Sequence, residues 1–151
     1  MRTFDAINDI LDFAIGEEQS AVDFYVSLAA RSKSVQSKKT FESFAQEEMQ
    51  HKENLIRIKE EGAFLMPEQK IRDLKIAEYL VDVKPGPDMN YGDALILAMK
   101  KEKAAFRMYS VLADNAPDPS IRDVFLGLAQ EESKHKLRFE VEYDDYVLKE
   151  N

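Results

Sequence analysis

FESFAQEEMQHK (41–52) and FLGLAQEESKHK (125–136) contain the only two histidines of the chain, His51 and His135, and each has a glutamate three positions before it. The two histidines lie 84 residues apart. The same shift lays AIGEEQSAVDFYVSLA (14–29) over AMKKEKAAFRMYSVLA (98–113), with no gap between the two alignments. The repeated unit is therefore two segments long. In every segment the apolar residues recur by threes and fours, the period of a helix with one buried face. The first segment shows Phe4, Ile7, Leu11, Ala14, Ala21, Tyr25 and Leu28, and the second Phe41, Phe44, Leu55 and Ile58. The third shows Tyr91, Leu95, Ala98, Ala105, Tyr109 and Leu112, and the fourth Ile121, Phe125, Leu128, Phe139 and Tyr146. A helical hairpin used twice predicts an all-α, four-helix bundle.

The connections set the topology. Residues 31–36 and 114–119 are short, so each hairpin is antiparallel. Residues 62–90 are long enough to run back along a ~38 Å helix, which makes the second and third helices parallel. Within that crossover PEQKIRDLKIAEYL reads as a short helix or strapped-down segment, and KPGPD as loop. Boundary residues agree: Asn90 with Asp93, and Asp118 before Pro119, are helix-start signals, and Gly62 suits a helix end.

Composition narrows the chemistry. With 151 residues, one domain over 1–151 is expected. A net charge of −8 disfavours nucleic acid and anionic membrane as partners. No apolar run approaches a membrane span, and the acids in MRTFDAINDILDF disfavour a signal peptide. The absence of cysteine removes thiol chemistry and iron–sulfur or zinc-ribbon sites, and it fits a reducing cytoplasm.

Each apolar seam has a gap, and charge fills it. Continuing the threes and fours places Glu18 on the first helix, Glu48 and His51 on the second, Glu102 on the third, and Glu132 and His135 on the fourth. Glu142 also falls on the last seam, nearer its exposed end. Unpaired buried carboxylates are costly, and two divalent cations would balance four of them. A glutamate and a histidine three apart share one helix face and can reach one ion or adjacent ions. With sixteen glutamates in 151 residues, both histidines acquire one at this spacing by chance roughly once in eighty sequences. Two such pairs in register with two more seam glutamates favour a dinuclear site over solvated helix faces. Carboxylate with imidazole suits iron or manganese, with zinc as a further candidate.

Neighbouring residues read more plainly. Glu17 aligns with Lys101 and falls off the seam, while Glu47 and Glu131 lie one step outside it. All three are expected to be solvated or to touch a ligand, without binding metal. Tyr25 and Tyr109 are repeat-equivalent, and read either as core residues or as phenols hydrogen-bonded to ligand carboxylates.

One glutamate on the first and third helices, with Glu-x-x-His on the second and fourth, resembles the ferritin-like carboxylate di-iron proteins. LAQEESKHKLRFE, DLKIAEYLVDV and ALILAMKKEKAAFRMYSVLA resemble the rubrerythrin-like branch, and the likeness covers essentially the whole chain. It implies two irons held by Glu18, Glu48, His51, Glu102, Glu132 and His135, with Glu48 and Glu132 bridging and Glu18 and Glu102 terminal. Two departures stand out. There is no cysteine for a rubredoxin domain, so an external donor such as a rubredoxin-type protein would supply electrons. The extra glutamate that rubrerythrins carry one turn after the third-helix ligand is here Ala105, which argues against the usual ligand exchange. Bacterioferritins share the six ligands and bind haem through a methionine that matches Met49. The repeat partner of Met49 is Ser133, so no haem is expected. The resemblance implies a homodimer or larger homo-oligomer. The expected function is reduction of peroxide or oxygen; the alternatives are a ferroxidase that stores iron and a bundle stapled by metal.

Overall fold

The computed structural model describes residue 4 and residues 6–62, 64–81, 85–86 and 89–150, the side chains of Tyr79, Lys149 and Glu150 excepted. Four long helices dominate: α1 (Ile7–Arg31), α2 (Val35–Glu61), α4 (Tyr91–Asp114) and α5 (Pro119–Glu150). Between α2 and α4 lie the short helix α3 (Glu68–Asp73) and a 3-10 turn (Ile76–Tyr79). Among the described residues there is no strand. The expected all-α, ferritin-like bundle of two hairpins is the architecture found.

The helix ends follow the local chemistry. Asn90 Oδ1 accepts from the Asp93 amide at 2.8 Å, and Asp118 Oδ1 accepts from the Ile121 amide at 3.0 Å. Each satisfies an amide that has no partner within its helix. Gly62 ends α2 in the left-handed region (φ 61°), which glycine enters without a Cβ clash.

Pairings across the bundle fix direction. Tyr25 on α1 meets Glu102 on α4, and Glu18 meets Tyr109, so these helices are antiparallel. Each hairpin is itself antiparallel, so α2 and α4 run parallel, as the long crossover requires. That crossover is strapped to the bundle: Phe64, Ile71 and Ile76 are buried with Leu55, Ile58 and Phe125. Lys75, between α3 and the turn, has φ 53°. Of KPGPD, Pro85 and Gly86 lie outside helix and strand, while Lys84, Pro87 and Asp88 lie outside the described residues.

The apolar core is divided in two. One part gathers Ile10, Leu11, Ile58, Leu112 and Phe125; the other gathers Leu28, Phe41, Leu95, Ala98 and Phe139. Burying one such large side chain contributes about 1.5–3 kcal/mol, so both layers hold the helices firmly. The layer between them is charged.

Candidate metal centre

Four helices deliver six ionisable side chains to this middle layer. Glu18, Glu48, His51, Glu102, Glu132 and His135 are each 3% exposed or less. Each reaches it because its helix continues the apolar period through a charged residue. They form two overlapping groups: Glu18, Glu48, His51 and Glu132, and then Glu48, Glu102, Glu132 and His135. Within each group one ligand atom per residue lies within 4.8 Å of all the others. All six sequence candidates are brought together, and Glu48 and Glu132 belong to both groups.

The surrounding contacts obey the internal repeat, and each crosses from one hairpin to the other. The Tyr109 hydroxyl donates to Glu18 Oε1 at 2.5 Å, and the Tyr25 hydroxyl donates to Glu102 Oε1. His135 Nε2 lies 2.5 Å from Glu47 Oε2, and His51 Nε2 meets Glu131 Oε2 in the same way. The tyrosines fit both readings left open for them: each is a buried core residue and each phenol sits on a candidate ligand. Glu47 and Glu131 are partly solvated and also touch a candidate ligand. Glu17 is 39% exposed and pairs with Lys101 Nζ at 3.6 Å. Met49 is 38% exposed, outside the core.

With each Nε2 engaged, each Nδ1 faces inward. His51 Nδ1 is 3.0 Å from Glu132 Oε1, and His135 Nδ1 is 2.9 Å from Glu48 Oε1. Neither contact has hydrogen-bond direction. His51 Nδ1, His135 Nδ1, Glu18 Oε2, Glu48 Oε1, Glu102 Oε2 and Glu132 Oε1 are all buried without a hydrogen-bond partner. Orphaned buried polar atoms are rare and costly, yet here every candidate residue presents one toward the same space. Atoms of this kind, at this separation, suit a pair of cations.

The protein alone accommodates the crowded charge badly. Burial pushes Glu48 well above the carboxylate range, and the charges of Glu132 and Glu18 add to it. Burial likewise raises Glu102, reinforced by Glu132. Glu132 is the counterpart: burial would raise it, but the polar atoms of Glu102, His51 and Glu48 packed against it, with the charge of His51, bring it down to about 2. Burial would lower His51, but the carboxylates of Glu132 and Glu18 packed against its Nδ1 push it up to about 11. Burial, then the Glu18 charge, raises Tyr109 well above the phenol range, so it stays a neutral donor.

Glu142 shows what a satisfied seam carboxylate looks like. It accepts from Ser37 Oγ at 2.7 Å and the Tyr91 hydroxyl at 2.9 Å, with Arg138 Nη2 at 3.5 Å. It belongs to neither group of candidate ligands.

A four-helix bundle of two repeated hairpins, with a buried layer of four glutamates and two histidines between apolar layers, defines a ferritin-like protein that could bind metal. The rubrerythrin family model matches residues 9–143, and the chain belongs to the rubrerythrin family. Comparison with curated proteins and with solved structures gives no match. Among the described residues no helix is long and apolar enough to cross a membrane.

Proposed function

We propose that this is a non-haem di-iron oxidoreductase that reduces peroxide, or oxygen, with electrons from an external donor. The observation that carries the reading is the convergence of six buried ligand atoms, none with a hydrogen-bond partner, in two groups sharing Glu48 and Glu132. Family membership makes iron the expected metal, and the carboxylate and imidazole donors suit iron or manganese. Glu18 and His51 would hold one ion, Glu102 and His135 the other, and Glu48 and Glu132 both. An iron pair held there would supply two electrons, one per ion, which with two protons reduce hydrogen peroxide to two waters.

The chain's own residues do the rest. Tyr25 and Tyr109 orient Glu102 and Glu18 through their hydroxyls, and burial keeps the Tyr109 phenol protonated. Glu131 and Glu47 fix the proton on each Nε2 and aim each Nδ1 at the centre. Phe44 stacks on His135 at a centroid distance of 4.0 Å, and Phe41 and Phe139 continue the apolar wall. That wall limits water, and the low dielectric strengthens the interactions inside.

The test is rapid mixing of iron-loaded, fully reduced protein with peroxide and, separately, with oxygen. Oxidation that is faster with peroxide supports the proposal. Faster oxidation by oxygen, with iron accumulating beyond the pair, replaces it with a ferroxidase. Failure to bind redox-active metal overturns both.

A further inference from the structure

A cavity of about 60 Å³ opens between α1 and α4, on the side of the cluster formed by Glu18, Glu48, Glu102 and Glu132. One water needs about 10–15 Å³, so the space suits molecules of a few heavy atoms. It exists partly because Ala21 and Ala105, which are repeat-equivalent, line it with methyl groups. A longer side chain at either position would fill it. Outside lies an open groove of about 420 Å³ along the same two helices. Glu17, Ser20, Phe24, Pro85 and Lys101 line both cavity and groove, so the two meet there. Across this junction stands the Glu17–Lys101 ion pair, at 3.6 Å.

The internal repeat explains why the pair is informative. Around the centre the repeats place several identical residues opposite each other, Glu18 with Glu102, Tyr25 with Tyr109 and Ala21 with Ala105, while Ser20 with Ala104 and Phe24 with Met108 differ without a change of charge. Glu17 and Lys101 are also repeat-equivalent, yet their charges differ. Two copies of either residue would repel across the junction. The departure from the repeat lets the two side chains pair across it. The pair is partly solvated, 39% exposed at Glu17 and 20% at Lys101, so it is weak enough to open.

We propose that the Glu17–Lys101 pair is a size filter, which admits molecules as small as hydrogen peroxide or dioxygen to the carboxylate side and holds back bulky organic hydroperoxides. This rests on the metal-centre reading above. Three forms of the iron-loaded protein test it: wild type, the double variant E17A/K101A, and the charge-swapped variant E17K/K101E. Azide binding to the oxidised form, read from its absorption spectrum, reports the centre without turnover. The oxidation rates of the reduced form by cumene hydroperoxide and by hydrogen peroxide give a selectivity ratio. In E17A/K101A that ratio rises tenfold or more, while azide affinity and the hydrogen peroxide rate stay within threefold. E17K/K101E, which keeps an ion pair, returns the ratio to the wild-type value. Normal azide binding with an unchanged ratio in E17A/K101A overturns the filter and leaves the metal centre standing, as does a swapped variant that behaves like the double alanine. A wild type that takes up no iron and gives no azide spectrum overturns the metal reading, and the filter with it.

Discussion

Glu48 and Glu132 belong to both ligand groups, whereas Glu18 and His51 belong to one and Glu102 and His135 to the other. Glu48→Gln should therefore cost both ions, and Glu18→Gln only the ion on its own side. Metal analysis after gel filtration separates the outcomes: near-complete loss against about half the wild-type content. Equal losses in the two variants would contradict the bridging assignment. Tyr109→Phe removes the donor to Glu18 while keeping the ring. Loss of such an orienting contact weakens metal affinity about 10- to 100-fold, and isothermal titration of the variant would measure it. At this scale the sequence revealed the candidate ligands and left their partners open. Glu18, Glu48, His51, Glu102, Glu132 and His135 were legible because helical periodicity forces them inward and the repeat doubles the signal. The pairing of His51 with Glu131 and of His135 with Glu47 was not. Both acids sit one step off the seam, and periodicity within a helix does not say which neighbouring helix a side chain touches. Their recurrence in both repeats was the available signal.

Among the elements, helix caps and the crossover carry the assembly. Asp118 is the side-chain cap of α5, and Asp118→Ala should destabilise the fold by about 1 kcal/mol, seen as a lower denaturant midpoint with an unchanged slope. A methyl group at Gly62 would point into open space, so Gly62→Ala tests backbone conformation alone. Its left-handed φ should make that change cost about 1 kcal/mol as well. The caps and both hairpins could be read from local residue chemistry. The crossover could be read only in outline: its length demanded a return along the bundle, but the burial of Phe64, Ile71 and Ile76 depends on contacts distant in sequence. The cavity between α1 and α4 was likewise hidden, because a space between helices has no signature within either one.

For the molecule as a whole, the buried charge links stability to pH. In the metal-free protein Glu48, Glu102 and His51 are all raised. A raised group contributes stability that is full below its unfolded pKa and lost as pH rises through its folded one. For Glu48 and Glu102 that decline starts above the ordinary 4.5, and for His51 it spans 6.5 to about 11. Glu132, lowered to about 2, has the opposite sign, but its contribution is lost only in acid as pH falls from 4.5 toward that value. From mildly acidic to mildly alkaline pH the metal-free protein should therefore lose stability. Metal binding needs deprotonated ligands and strengthens over the same range. The metal-induced rise in Tm should widen as pH increases, which calorimetry with and without chelator at two pH values would record. A rise that shrinks with increasing pH would contradict the charge assignment.

Everything proposed for this protein rests on six residues from four helices holding two metal ions between two apolar layers. Elemental analysis of the purified chain after reconstitution with ferrous iron under anaerobic conditions, followed by removal of loosely bound metal, addresses it most directly. About two irons per chain are expected, falling to near zero when Glu48 and Glu132 are both changed to glutamine. A stoichiometry near zero in the wild type, or one unaffected by those substitutions, would contradict it.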